Sequence, residues 1–278
     1  MTIPTHELND GHTIPAIGFG TYPLRGEPGV VAVRSAISNG YRLIDTAFNY
    51  DNEAAVGRAL TESDLPREEL FVASKLPGRF HEHDAAANAV RESVWRLGLD
   101  YLDFYLIHWP NPTEGKYVEA WEALVEARDA GIVRSIGVSN FTLEHLEKIE
   151  RATGVRPAVN QIELHPYFPQ EEQLAAHKEL GIVTEAWSPL GKASSIREEP
   201  VAQEVASAHG VSPSQVILRW HIQREVVPIP KSANSERQAE NLDVFGFELS
   251  ADEVAAITAL GSANGRLFDG DPNHHQEM

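Results

Sequence analysis

Eight times along this chain a short apolar run gives way to a longer segment with helical periodicity, and this alternation limits the fold more than any other feature. The runs lie at 14–21, 41–45, 70–74, 102–107, 132–138, 158–162, 182–187 and 226–229. Helical segments follow at about 29–39, 53–63, 84–97, 117–130, 142–152 and 170–180, then at 199–209, from Pro213 onward, and at 235–244. Val90, Val94 and Leu97 share one helix face, as do Trp121, Leu124 and Val125. Ser212 with Gln215, and Ser250 with Glu253, have the spacing of capping boxes. The run 102–107 is nearly all apolar, as expected of a strand covered on both faces in a parallel sheet. Strict strand–helix repetition over about 250 residues predicts an α/β fold, the (β/α)8 barrel. Asn9-Asp10-Gly11 adds an N-terminal β-hairpin over 5–15, and the C-terminal part carries extra helices. No low-complexity break divides residues 1–278, which read as a single domain.

The alternative is a doubly wound open sheet with a dinucleotide fingerprint after its first strand. Gly18 and Gly20 supply two of the required glycines, but Pro23 stands where the third belongs. The barrel is therefore preferred.

Charge excludes several function classes. The formal net charge is −18, which repels nucleic acid and anionic membranes. There is no cysteine, so disulfides and thiolate chemistry are excluded, and a reducing, cytoplasmic setting is the expectation. The first residues lack a basic start followed by an apolar core, so no signal peptide is expected, and no apolar run approaches the ~20 residues of a membrane span. The expected state is a monomer.

In such a barrel every strand aims its C-terminal end at one rim, where sites form. The residues there are Gly20, Thr21 and Tyr22; Asp45, with Tyr50 five residues on; Lys75; and His108. The later strands bring Ser139 and Asn140; Asn160, Gln161 and Glu163; Trp187 and Ser188; and Lys231 and Ser232. Asp45, Tyr50, Lys75 and His108 make chemical sense as a group. A phenol has an ordinary pKa of about 10 and is a slow acid. A neighbouring ammonium is expected to lower that value, and a carboxylate keeps the ammonium charged. A histidine adds a hydrogen bond at the same oxygen. The group suits a reaction in which charge develops on a carbonyl oxygen and a proton must be supplied. Singly, each has a plainer reading: a structural ion pair, a packing aromatic or a satisfied buried histidine.

With these residues in view, the chain resembles the aldo-keto reductases over nearly its whole length. The matching stretches are Gly18-Phe19-Gly20-Thr21, Asp45-Thr46-Ala47 with Tyr50 and Asn52-Glu53, Lys75, the whole of 97–110, Gly137-Val138-Ser139-Asn140-Phe141 and Asn160 through Pro166. Trp187-Ser188-Pro189-Leu190-Gly191 and Ile229-Pro230-Lys231-Ser232 complete them. Within the family it is most similar to the bacterial 2,5-diketo-D-gluconate reductase type. The resemblance implies NADPH-dependent reduction of an aldehyde or ketone, such as a diketone or keto-sugar. Tyr50 is then the general acid, Lys75 and Asp45 its tuning pair, and His108 the residue that orients the carbonyl. It implies cofactor contacts from Gly20, Thr21 and Asp45, with Ser139, Asn140 and Gln161 on the carboxamide and Trp187 stacked on the nicotinamide. Ser188, Pro189, Leu190 and Gly191 follow the pyrophosphate, and Glu240 and Asn241 the adenine. Lys231, Ser232 and Arg237, at a helix start in an acidic protein, suit the 2′-phosphate of NADPH.

Tyr22, Phe48, Trp109 and Phe268 are the expected substrate pocket. Where relatives often carry tryptophan after Lys75-Leu76, this chain has Pro77-Gly78-Arg79-Phe80. His81-Glu82-His83 lacks a third metal ligand nearby, and no metal is expected. Asp103, inside the apolar run, has no assignment from sequence, and the polar last ten residues, with His274-His275, read as a loose, solvated tail. Two rival functions are a non-catalytic NADP(H)-binding sensor or subunit, and a barrel isomerase or aldolase using Lys75 as a Schiff base.

Overall fold

A computed structural model describes residues 3–262 and 264–277. The hairpin forms from β1 (Thr5–Glu7) and β2 (Thr13–Pro15), paired antiparallel with Thr5 opposite Pro15. The run expected at 14–21 is two strands. Its first residues belong to the hairpin, the chain bends at Ala16-Ile17, and β3 (Gly18–Gly20) then enters the barrel.

From β3 the strands follow in chain order: β4 (Leu43–Asp45), β5 (Phe71–Leu76), β6 (Leu102–Ile107), β7 (Val133–Ser139), β8 (Val159–Glu163), β9 (Val183–Trp187) and β10 (Val226–Ile229). Each pairs parallel with the next, giving one eight-stranded sheet. The ends meet where Gly20 N–H donates to the Pro230 carbonyl at 3.0 Å. Next to it, a Cβ at Gly18 would lie 2.7 Å from Ile229 Cδ1 and 2.8 Å from Leu43 Cδ2, so those side chains would have to shift to admit one.

Helices α1 (Gly26–Asn39), α2 (Glu53–Thr61), α3 (His83–Leu97), α4 (Tyr117–Asp129), α5 (Leu143–Thr153) and α6 (Glu171–Leu180) follow the first six barrel strands. After β9 come α7 (Pro200–His209) and α8 (Pro213–Gln223), and after β10 come α9 (Ser235–Leu242) and α10 (Ala251–Thr258). Both expected capping boxes are present, at Ser212/Gln215 and Ser250/Glu253. No helix among the described residues is long and apolar enough to cross a membrane.

Two of the three clusters of the apolar core frame the barrel. Val33, Val90, Leu97, Trp121 and Leu124 pack in the layer between strands and helices. Leu43, Ala73, Phe104, Leu106 and Val227 cluster separately with Leu8 and Ile14 of the hairpin region. The hairpin thus caps the floor of the barrel and leaves the opposite rim for chemistry. Asp103 belongs to the floor. Its Oδ2 accepts from Arg67 Nη2 at 2.7 Å and from Val72 N–H at 2.9 Å, and Arg134 Nη1 lies 3.3 Å from Oδ1. It is a structural ion-pair residue.

The C-terminal segment departs from the expected loose tail. Arg266 Nη1 donates to the Gly270 carbonyl at 2.9 Å, Leu267 N–H donates to Glu163 Oε1 at 2.6 Å, and the His275 ring packs tilted on Trp109 with centroids 4.1 Å apart. Its polar residues divide: Asp269, Asp271, Asn273 and His274 are exposed, whereas His275 and Glu277 turn to partners on the rim.

Candidate active site

Asp45 ends β4, Lys75 lies near the end of β5, and His108 follows β6 directly. Tyr50 is carried on a short 3-10 turn, Phe48–Tyr50. That turn is latched from behind by Asn52. Its Nδ2 donates to Thr21 O at 3.2 Å, Thr21 Oγ1 at 3.1 Å and Leu24 O at 2.9 Å, while its Oδ1 accepts from Thr46 Oγ1 at 2.6 Å. His108 is held through its backbone, its N–H on Leu76 O and its carbonyl accepting from Asn140 Nδ2, both at 3.0 Å. The structure brings the four residues together: the Tyr50 and His108 rings stand edge to face at 5.7 Å, and Lys75 Nζ lies 5.4 Å from the Tyr50 ring centre.

Lys75 is fully buried. Its Nζ donates to Asp45 Oδ1 at 2.6 Å, Asp45 Oδ2 at 2.7 Å and Thr46 O at 2.9 Å. Burial alone would neutralise it, but the Asp45 carboxylate and the charge interaction with Tyr50 outweigh burial and raise its pKa, so it is an ammonium. Tyr50 differs from expectation. Burial pushes its phenol up to about 12, Asp45 and Glu277 add to the rise, and the charge and hydrogen bond of Lys75 only offset part of it. The phenol is therefore held as a proton donor across the physiological range.

Glu185, on β9, is a site residue that sequence reasoning passed over. It is buried, its Oε2 accepts from Gln161 Nε2 at 2.9 Å, and Gln161 also donates to Asp45 Oδ1 at 3.1 Å. The three hydrogen bonds of Lys75 Nζ go to Asp45 and Thr46, and burial with the Asp45 charge pushes the Glu185 carboxyl up to about 8. Its only signal in sequence was a carboxylate inside an otherwise apolar strand, as with Asp103.

A raised folded-state pKa has a defined effect on stability. The unfolded carboxyl titrates near about 4.3, so the contribution of protonated Glu185 is complete below that value and is lost as pH rises through about 8. Wild type is expected to lose on the order of 3 kcal/mol between about pH 5 and pH 9 through this group. Glu185→Gln keeps an acceptor for Gln161 and cannot ionise. Its melting temperature at about pH 9 should exceed that of wild type by several degrees, as thermal melts across this range would show.

Beyond this group the rim continues as expected. Ser139 Oγ donates to Gln161 O at 2.8 Å, Asn140 Nδ2 reaches Ser139 Oγ at 3.0 Å, and Trp187 Nε1 donates to Asn140 Oδ1 at 2.8 Å. Ser188 and Gly191 both have positive φ in a tight turn closed by Gly191 N–H on Ser188 O at 2.8 Å. Asn234 caps α9 by accepting from Arg237 N–H at 2.9 Å. Lys231 and Arg237 are exposed there, and neither has a carboxylate partner among the described residues. Arg237 Nε lies 3.5 Å from Ser232 Oγ, so two cations and a hydroxyl face one helix start, a set that fits a phosphate. Asn241 is buried, and Glu240 accepts from Ser212 Oγ.

Of the expected pocket residues, Tyr22 is exposed and lies 5.0 Å from the Tyr50 ring, Trp109 is covered by His275, and Phe268 packs on Trp187 at 5.1 Å. Phe48 lies deeper, 5.3 Å from Phe80, with the Arg96 guanidinium of α3 4.0 Å over its ring. No group of three or more potential ligands suited to a metal occurs among the described residues. His81 is buried, and burial lowers its pKa to about 4. His83 instead pairs with Asp84 and Glu126. A carboxylate missed from sequence, Glu277, lies against His108.

The comparisons with known proteins agree with this geometry. The aldo/keto reductase family pattern matches residues 16–262. A 2,5-diketo-D-gluconic acid reductase B of Corynebacterium sp. (strain SHS752001) is 55% identical over 276 residues, covering 99% of each chain. A morphine 6-dehydrogenase of Pseudomonas putida is 46% identical over 92% of this chain and 91% of its own. Among solved structures, a Gox0644 mutant in complex with NADPH superposes with a TM-score of 0.95 at 43% identity, covering 99% of this chain and 100% of that one. With a family match across the barrel and a relative this similar over the full length, the chain belongs to the aldo/keto reductase family.

Proposed function

We propose that this chain reduces an aldehyde or ketone to the alcohol with NADPH, a class that includes diketones and keto-sugars. The observation that carries the reading is the buried Lys75–Asp45 pair beneath a phenol kept protonated. When bound, NADPH supplies hydride. Tyr50 then delivers its proton to the oxygen as charge develops there, and Lys75 stabilises the phenolate left behind. His108 beside Tyr50 orients the carbonyl. Ser139, Asn140 and Gln161 hold the nicotinamide carboxamide, and Trp187 provides the ring wall. Gly20, Thr21 and Asp45 border the cofactor at the same rim, and Ser188, Pro189, Leu190 and Gly191 the pyrophosphate path. Glu240 and Asn241 meet the adenine. A Schiff-base role for Lys75 is disfavoured because three oxygens hold its Nζ as an ammonium. A sensor role has no support in a site with all four residues in place. The absence of cysteine suits the cytoplasm, and we expect a monomer with no nucleic-acid or membrane partner.

The direct test is NADPH oxidation across aldehydes, diketones and keto-sugars; no oxidation with any of them overturns the reading. The phosphate assignment has its own test. Arg237→Ala should weaken NADPH binding by about tenfold to a hundredfold, the range for a charge-assisted phosphate contact, and leave NADH nearly unaffected. Fluorescence titration with both cofactors measures this, and equal losses would remove the assignment.

A further inference from the structure

Glu185 is a buried carboxyl that proton delivery from Tyr50 does not use. It stands in register with Gln161 on β8 and, on its other side, with the floor residue Val227 on β10. Trp187, two residues further along β9, projects from the same face of the strand. The carboxyl therefore lies one step below the ring wall assigned to the nicotinamide. Gln161 Nε2 has two hydrogens to give. One goes to Asp45 Oδ1 at 3.1 Å and the other to Glu185 Oε2 at 2.9 Å. Gln161 Oε1 takes no hydrogen bond among the described residues and is not sealed from solvent, so it is the polar atom of this side chain left open to a ligand.

For the fold alone this carboxyl is a poor choice. With one hydrogen bond it costs more to desolvate than an apolar side chain of the same shape. Its value lies in what it does to Gln161. A single bond to Asp45 lets the amide swivel about that contact, whereas a second acceptor fixes its plane and occupies both hydrogens. We infer that Glu185 is a positioning residue for the cofactor: by taking the second hydrogen of Gln161 it fixes that amide with its oxygen offered to the nicotinamide carboxamide. This rests on the reductase reading above. The NH2 of a carboxamide needs an acceptor, and a turned Gln161 would set donor against donor. The Asp45 carboxylate can only accept, so it keeps the nitrogen end of Gln161 on its side. Glu185 supplies the other acceptor without a second full charge at neutral pH, since burial and the Asp45 charge push its carboxyl up to about 8.

The experiment titrates two probes by calorimetry: NADPH, and 2′-phospho-ADP-ribose, which lacks the nicotinamide. The proteins are wild type, Glu185→Leu, Glu185→Gln, Gln161→Ala and the double variant Glu185→Leu/Gln161→Ala. Glu185→Leu removes the acceptor and leaves no room for water to replace it. It should weaken NADPH about tenfold, the scale of a lost buried hydrogen bond, and leave 2′-phospho-ADP-ribose within about twofold. Glu185→Gln returns an acceptor oxygen and should recover most of the loss. In the Gln161→Ala background, Glu185→Leu should change NADPH affinity by less than about twofold, because the two residues act as one. A residue that only packs would weaken both probes, and would do so with or without Gln161. Melting curves check folding, and Glu185→Met takes the place of a poorly folded Glu185→Leu. The inference is overturned if the well-folded apolar variant binds NADPH as wild type does, if both probes weaken by the same factor, or if the loss persists without Gln161. If wild type itself binds no NADPH, the reductase reading falls and takes the inference with it.

Discussion

Tyr50→Phe is expected to lower kcat/KM for carbonyl reduction by at least about a thousandfold, within the range for a lost general acid, and to leave NADPH affinity within about threefold. The substitution is close to a deletion of one oxygen. The ring keeps its contacts with Tyr22 and His108. Lys75 keeps both oxygens of Asp45 and the Thr46 carbonyl, so the fold loses at most the net value of one hydrogen bond, about 1 kcal/mol. Stopped-flow or steady-state NADPH oxidation gives the rate, and fluorescence titration the affinity. A mutant with wild-type turnover would show that the proton comes from elsewhere, with His108 the next residue to test. The phenol's high pKa adds a further expectation: ionisation of Tyr50 should not limit reduction below about pH 10.

Lys75→Met should have the second largest effect, on stability and turnover together. It removes the only cation within hydrogen-bond reach of Asp45 among the described residues and leaves that carboxylate buried. Breaking a buried pair from one side costs about 3–5 kcal/mol, and turnover should fall by at least about a hundredfold without the charge that stabilises the Tyr50 phenolate. The double variant Lys75→Met/Asp45→Asn separates the two effects. With no orphaned charge it should recover most of the stability, as read by denaturant unfolding, and none of the activity. If the single variant is as stable as wild type, the pair is not held as described.

The grouping of Asp45, Tyr50, Lys75 and His108 was legible because a barrel orders its strand ends at one rim. Once the strand positions were read, Asp45, Lys75 and His108 had to converge on one rim. The run 102–107 coincides with its strand because burial on both faces left an uninterrupted apolar signal. The run 14–21 did not, because an apolar hairpin residue and an apolar barrel residue look alike until the bend at Ala16-Ile17 is seen. Tyr50 was correctly placed beside Lys75, yet the direction of its pKa was misread, since a local charge argument omits the burial that outweighs it.

Sequence alone determined the strand–helix order, hence the barrel, and the residue types at its rim, because periodicity and strand ends are local properties of the chain. Only the tertiary structure decided the partners that come from far away in sequence. Asp103 became a floor ion pair with Arg67 and Arg134, and Glu185 became a protonated neighbour of Asp45. The tail, polar enough to look solvated, was tied to Asn111 and placed Glu277 beside His108. Whether a polar group faces water or a partner depends on what the fold sets against it, and no local pattern of residues carries that information.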